Sequence, residues 1–549
     1  MKKRTLIIII IAALLLVAGG VVAWLLWQRG KGSGESSNNQ STEKPRLVPN
    51  EDGIYEGGFD LEAGGSYMIV YDSDTAFAVV EALSSSAIEG VCYLVEKGSD
   101  CVVPQPFKLA TRRHSSTLAL GQEKEVAFEM GGEEFRECLD GGKHIVREKT
   151  GKNHTFSVRP YYAPEYTEVT DRRFKQELFR VETFRDVEFN VQKGYWATLT
   201  GNEADGYGKI IRSGISKSLK RRDVSLAMDI YLPQGENRDP TDSQTPVANG
   251  RPLILFLHGG AFYVGDKAEP HIAGWCRHFA SMGYVTASAN YRMGFMPTKK
   301  EIQKTGLDAA EDALDAVRFL KGRAAEYHID TNMLFVAGTS AGSIIALDIA
   351  YAKDCDVKFR AVANMWGAVT DLDNLKNSRT DIVSFHGDAD QLVPYDEGFP
   401  FSDIRNGKVG KALFDKMYGS KALSRKAVEL GLRCKFYSFA GEGHALHLNA
   451  DRSLNQKNYS FIQDSMAAFF YGEMVPREAK IEQDRFDARH FLVDHPMVQQ
   501  VQWNVPRAFV LRQTEKEIWL VWPQTSVQRI VEASGHYDNG IGFTCKTEI

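Results

Sequence analysis

At 549 residues, with 43% hydrophobic and 25% charged side chains, the chain has an ordinary globular composition and is too long for one compact core. A prior of about 150 residues per domain predicts three or four units, fewer where one is a large α/β domain. The formal net charge of −5 gives no whole-chain basic field, which sets nucleic acid aside as a partner, and seven scattered cysteines without a CxxC pair or Cys/His cluster predict no metal site.

Lys2-Lys3-Arg4 precede an apolar run from Leu6 to Trp27, long enough to cross a bilayer as a helix, with Trp24 and Trp27 where amphipathic rings favour the interface. Residues 1–28 therefore read as an N-terminal transmembrane anchor or, alternatively, as a cleaved secretory signal with Val21-Val22-Ala23 tolerable to a signal peptidase. Either reading puts the bulk of the chain on the extracytoplasmic side, periplasmic or extracellular. Residues 29–50, with Gly32-Ser33-Gly34-Glu35-Ser36-Ser37-Asn38-Asn39, lack apolar side chains to bury and read as a flexible linker.

From 51 to 170, short β-branched and aromatic runs are punctuated by Gly, Ser and Asp: Ser66 to Tyr71, Ala76 to Leu83, Gly90 to Val95, Lys124 to Met130 and Thr155 to Tyr161. They predict an antiparallel β domain, a sandwich or small barrel, with no residue in it marking a site. Cys92 and Cys101 are spaced to close a hairpin disulfide in an exported chain; buried thiols are the alternative, and the odd total leaves at least one thiol free.

Over 171–474, apolar strands alternate with helix-period segments, which predicts a mostly parallel sheet covered by helices. The strands are Leu226 to Tyr231, Leu253 to Leu257, Val285 to Ala289, Leu334 to Ala337, Ala361 to Trp366, Ile382 to Phe385 and Cys434 to Phe439. Ala310, Leu314, Val317 and Leu320 mark one face of a helix over Ala309 to Tyr327, and Lys408 to Leu432 reads as helix as well. Residues 475–549 return to β texture, with Val498 to Trp503, Ile518 to Trp522 and Arg529 to Ala533 as strands and Asp538-Asn539-Gly540 as a turn, giving a small C-terminal β module.

Chemistry concentrates in the α/β region. Gly338-Thr339-Ser340-Ala341-Gly342 stands between the apolar run Met333 to Ala337 and the apolar helix that follows, the pattern of a strained strand-to-helix turn that holds a serine hydroxyl clear of the backbone. A serine hydroxyl needs a base to take its proton, and the base needs a carboxylate to hold its tautomer. Downstream, His386-Gly387-Asp388-Ala389-Asp390 and Gly441-Glu442-Gly443-His444 each follow a strand, giving the order serine, acid, histidine. Asp390 is the expected acid with Asp388 as runner-up, and His444 the expected base with His447 as alternative. The amides of Gly260 and Ala261, in His258-Gly259-Gly260-Ala261-Phe262, and of Ala341 are expected to form the oxyanion hole, with His258 structural. No cofactor is needed.

These strings, together with Asp229-Ile230-Tyr231-Leu232-Pro233, Gly265-Asp266-Lys267 and Asn290-Tyr291-Arg292, resemble the carboxylesterase and acetyl or feruloyl esterase branch of the α/β-hydrolase superfamily over about 300 residues. The resemblance implies an α/β-hydrolase fold and hydrolysis of carboxylic esters through an acyl-serine intermediate. Ala261 stands where many relatives carry a third glycine; its amide still donates, so the departure bears on the shape of the acyl pocket. Through Trp503 and Trp519-Leu520-Val521-Trp522, the C-terminal module resembles immunoglobulin-like modules appended to secreted bacterial enzymes.

Gly367 to Asp381 is too short for the helical cap with which relatives bury long acyl chains, so an open site is expected, suited to a small acyl group on a bulky alcohol or polysaccharide. Phe262, Tyr263, Trp366 and Phe399 are candidates for its lining, or plain core. The expected protein is a membrane-anchored serine carboxylesterase. Its rivals are a non-catalytic extracytoplasmic binding protein on a hydrolase scaffold and a serine peptidase of the same fold.

Overall fold

A computed structural model of the chain describes residues 172–199, 220–234, 250–506, 508–523 and 528–549, residues 166 and 169, and the backbone of seven strands between 46 and 160. The chain divides into two compact units, 1–162 with 523–525 and 163–522 with 526–549. The predicted anchor, most of the linker and the strand predicted over Lys124 to Met130 lie outside the described residues. Among the described residues no helix is long and apolar enough to cross a membrane.

The first unit holds an antiparallel sheet whose strands lie in the order Cys101–Ala110, Ala87–Val95, Ala76–Ser84, Ser66–Tyr71, Phe156–Pro160, Arg46–Pro49 and Tyr55–Glu56. Four of these seven fall on the β-branched and aromatic runs quoted above, because such side chains suit a pleated surface.

The second unit is built on an eight-stranded sheet: β1 (Arg180–Gly194), β2 (Arg222–Gln234), β3 (Arg251–Leu257), β4 (Val285–Ala289), β5 (Ile329–Thr339), β6 (Ala361–Met365), β7 (Asp381–Gly387) and β8 (Cys434–Phe439). Across the sheet they run 1-2-4-3-5-6-7-8, with β2 antiparallel to both its neighbours, β1 and β4, and every other pair parallel. That is the α/β-hydrolase topology. Successive residues of a strand face opposite ways, so Leu253, Leu255 and Leu257 of β3 enter one core while Ile254 and Phe256 enter the other.

Helices cover both faces. α1 (Pro270–Met282) and a long helix over Gln456–Met474 pack into the core that takes Phe335, Ala363 and Phe385; α2 (Lys299–Gly322), α3 (Ala341–Ala350) and α4 (Ser420–Glu429) pack into the other. α2 begins ten residues before the predicted start, where the Thr298 side chain caps the Glu301 N–H at 3.3 Å. The predicted helix over Lys408 to Leu432 is two pieces, Lys408–Leu413 and α4, separated by a strand at Met417–Gly419. That strand pairs with Ala368–Val369 on one side and Glu397–Gly398 on the other, tying the segment before α4 to the loop after β6.

Two antiparallel groups follow the last helix. One joins Ile481–Gln483, His490–Val493, Glu517–Pro523 and Phe509–Gln513; the other joins Val498–Asn504, Ile530–Tyr537 and Gly542–Glu548. Trp503 and Trp522 are fully buried and belong to the same continuous core as the long helix. Asn539 Nδ2 donates to the Met474 carbonyl at 2.8 Å, and the Ala479 amide to the Tyr537 hydroxyl at 2.9 Å.

Candidate active site

Ser340 sits at the tip of β5 with φ 49° and ψ −117°, a strained conformation for a residue with a β-carbon. Its amide donates to the Met365 carbonyl of β6 at 2.9 Å. The flanking glycines have a steric reason to be there. A β-carbon on Gly338 would lie 2.3 Å from Gly342 backbone atoms, and one on Gly342 would lie 2.2 Å from the Leu257 carbonyl oxygen. The turn is tight because strand, helix and neighbouring strand meet with no room for a methyl group.

The expected base and acid converge on this hydroxyl. His444 Nε2 lies 2.8 Å from Ser340 Oγ, and His444 Nδ1 lies 2.7 Å from Asp390 Oδ2. Asp390 Oδ1 accepts the amides of Leu392 and Val393 at 2.8 and 3.0 Å. Burial alone would push this carboxyl up, but hydrogen bonds from His386 and His444 outweigh it and hold the group well below the usual carboxylate range. It is ionised, as a group orienting an imidazole must be.

The two alternatives point elsewhere. Asp388 Oδ1 accepts the Gly441 amide at 2.7 Å and braces the loops. His447 is buried, stacked on Trp366 with centroids 5.3 Å apart, and burial pushes its imidazole down to about 4.

The oxyanion candidates lie on a loop of three consecutive positive-φ residues, Gly260 at 113°, Ala261 at 52° and Phe262 at 59°. At Gly260 a β-carbon would fall 1.9 Å from the Val264 carbonyl oxygen. The N–H groups of Gly260, Ala261 and Ala341 carry no hydrogen bond to any described residue, as donors reserved for an incoming oxyanion should. The loop is braced by the other strings of the sequence. Tyr291 donates to the His258 carbonyl at 2.7 Å, Asn290 Oδ1 accepts the Lys267 amide at 2.7 Å, and Lys267 Nζ pairs with buried Asp229 at 2.7 Å. Arg292 Nε and Nη2 in turn grip buried Asp312, at 2.8 and 2.7 Å. His258 itself is fully buried, with its imidazole pushed down to about 4 by that burial, which suits the structural part expected of it.

Several contributors were not anticipated from the sequence. His386 Nε2 lies 3.1 Å from Asp390 Oδ2, while its Nδ1 lies 2.8 Å from Ser420 Oγ at the start of α4. Asn364 Nδ2 donates to Ser420 Oγ and to Ser384 Oγ, and Asn364 Oδ1 accepts from Ser343 Oγ at 2.6 Å. All five of His386, Ser420, Asn364, Ser384 and Ser343 are completely buried. A satisfied polar chain thus links the acid to the first turn of the helix that follows the serine. His386 opens the string that ends in Asp390, so its presence there was the available signal.

Ser340 and His444 stand between two cavities. The smaller, about 360 Å³, is walled by Ile302 and Leu307 of α2, Ile344 of α3, and Phe401, Phe414 and Met417 of the segment before α4. The larger, about 750 Å³, is lined by Trp366, His271, His447, Asn449 and Arg452 among others. Of the four aromatic candidates, Phe262 lines the smaller cavity and Trp366 the larger; Tyr263 is buried core and Phe399 lines neither. Although the stretch after β6 is short, the segment around Phe401 to Met417 still covers one side of the serine. Among the described residues no group of His, Cys, Asp and Glu is arranged to hold a metal ion.

Residues 228–381, from β2 to the first residue of β7, match the BD-FAE family model. The match takes in the oxyanion loop and Ser340 and stops short of Asp390 and His444. Among curated proteins, 119 residues are 32% identical to the probable isoprenylcysteine alpha-carbonyl methylesterase ICME of Oryza sativa subsp. japonica, covering 22% of this chain and 24% of that one. Gut esterase 1 of Caenorhabditis elegans is 28% identical over 94 residues, 17% of each chain, and Esterase LipI of Mycobacterium tuberculosis 33% over 100 residues, 18% of this chain and 28% of that one. The chain spans less than a third of the length of the curated relatives it matches. Of solved structures, Thermogutta terrifontis esterase 2 phosphorylated by paraoxon covers 46% of this chain and 92% of its own at 21% identity, with a TM-score of 0.33, which adds nothing to the topology above. Residues 228–381 are thus similar to the BD-FAE family, and shorter stretches of the chain are similar to esterases.

Proposed function

We propose that this protein hydrolyses carboxylic esters through an acyl-serine intermediate. Ser340 attacks the carbonyl as His444 takes its proton, Asp390 stabilises the imidazolium, and the amides of Gly260, Ala261 and Ala341 receive the oxyanion. His444 then returns the proton to the leaving alcohol, and the reverse sequence with water frees the acid. The observation that carries this reading is the unbroken chain from Ser340 Oγ through His444 to Asp390, at 2.8 and 2.7 Å. The matches to esterases support it.

The two cavities divide the substrate. The larger has room for a bulky alcohol or a saccharide, which leaves the smaller, largely apolar one for a short to medium acyl group. We further propose that residues 1–28 anchor the enzyme in a membrane with its bulk outside the cytoplasm, on the strength of the apolar run from Leu6 to Trp27.

Initial rates over aryl esters of rising acyl length, with Ser340→Ala as control, test the activity. Turnover that requires Ser340 and declines once the acyl chain outgrows the cavity is expected. A rate that Ser340→Ala leaves unchanged contradicts the activity, and an optimum at long chains contradicts the place given to the acyl group.

A further inference from the structure

The helix that begins at the nucleophile carries a second feature into the smaller cavity. Ser340, Ile344 and Asp348 all line it, four residues apart and therefore on one face of α3. Two turns separate the first from the last, on the order of 12 Å between α-carbons. The distance is shorter at the carboxylate, because helical side chains lean toward the N-terminus.

Asp348 forms no hydrogen bond or ion pair with any described residue. Asp415, which lines the same cavity, differs: Lys299 Nζ lies 2.5 Å from it and Gln303 Nε2 donates to it at 2.6 Å. Among the described residues no lysine or arginine lines the cavity. Asp348 is half-buried, with its carboxyl against largely apolar walls, and the burial it has pushes it up to about 7. Without a protein partner, the carboxyl is left to meet what enters the cavity.

We propose that Asp348 is a specificity-determining residue that selects esters whose acyl arm ends, remote from the carbonyl, in a hydrogen-bond donor, best a protonated amine. The inference rests on the reading of Ser340 as nucleophile. An ammonium group entering the cavity gains a charge-assisted hydrogen bond. A carboxylate meets like charge in a poorly solvated space, and a methyl group leaves the aspartate without a partner.

The test compares kcat/KM for four p-nitrophenyl esters of matched chain length ending in methyl, hydroxyl, ammonium and carboxylate. Wild type, Asp348→Asn and Asp348→Leu are assayed, each checked for an intact site by fluorophosphonate labelling of Ser340. Wild type should favour the ammonium ester over the carboxylate ester by about tenfold or more. Both variants should lose that preference, and Asp348→Leu should gain on the methyl-terminated ester. A ratio that both variants leave unchanged overturns the inference while the esterase reading stands. Failure of wild type to hydrolyse any of the four overturns the esterase reading, and the inference with it.

Discussion

The two halves of the site are held by different means. On the nucleophile side the backbone does the positioning: Gly260, Ala261, Phe262 and Ser340 all have positive φ, and β-carbons at Gly260, Gly338 or Gly342 would strike main-chain atoms. On the acid side no residue from Gly387 to Val393 has positive φ, and Asp390 is fixed by His386, His444 and two amides, with Ser420 and Asn364 behind them. Donors to an oxyanion must be held at a fixed place, which the main-chain N–H groups of a tight loop supply. A carboxylate that must stay charged while buried needs several donors, which a polar side-chain chain supplies. The first half should fail when a methyl group is added, the second when a hydrogen bond is removed.

The largest effect is expected at the junction of the two. Asp390→Asn keeps the shape but loses the charge that holds the His444 tautomer, and kcat should fall on the order of 10⁴-fold with KM little changed. Gly260→Ala tests the backbone half: with φ at 113° and a main-chain oxygen 1.9 Å from the new β-carbon, the loop must shift. Misplaced donors should lower kcat by about 10² to 10³, whereas unchanged kinetics would show that these amides take no part.

The side-chain half is tested by His386→Asn. Loss of one donor to a charged acceptor costs about 1.5–3 kcal/mol, so kcat should drop roughly tenfold or more. An unchanged kcat would show that this hydrogen bond takes no part in holding the acid.

The smallest effect concerns stability. Burial depresses His258 and His447 to about 4, below the unfolded value near 6.5. The unfolded chain therefore takes up protons first, and stability present above pH 6.5 should be lost as pH falls toward 4. Urea midpoints of the second unit across that range measure it, and His447→Phe should flatten the slope.

The parallel strands β3, β4 and β6 were legible because each is buried on both faces and reads as a nearly continuous apolar run, and they lie within two residues of their expected ends. β1 escaped notice for the opposite reason. It is an edge strand whose side chains are mostly exposed or half-buried, and its string Arg-Val-Glu-Thr-Phe-Arg-Asp-Val-Glu-Phe mixes charge with apolar residues. The serine, acid and histidine were legible through their order and their places after strands. The chain from His386 through Ser420 to Asn364 was not, since it joins residues 34 and 56 positions apart that share no local pattern. Asp348 was within reach: counting two turns from Ser340 along an apolar helix would have found it.

The central claim is that Ser340 is made nucleophilic by His444, and one measurement addresses it directly. Intact-mass and peptide mass spectrometry after exposure to a fluorophosphonate should find a single adduct on Ser340, absent in Ser340→Ala and formed far more slowly in His444→Ala. An unmodified Ser340, or labelling indifferent to His444, would contradict the account.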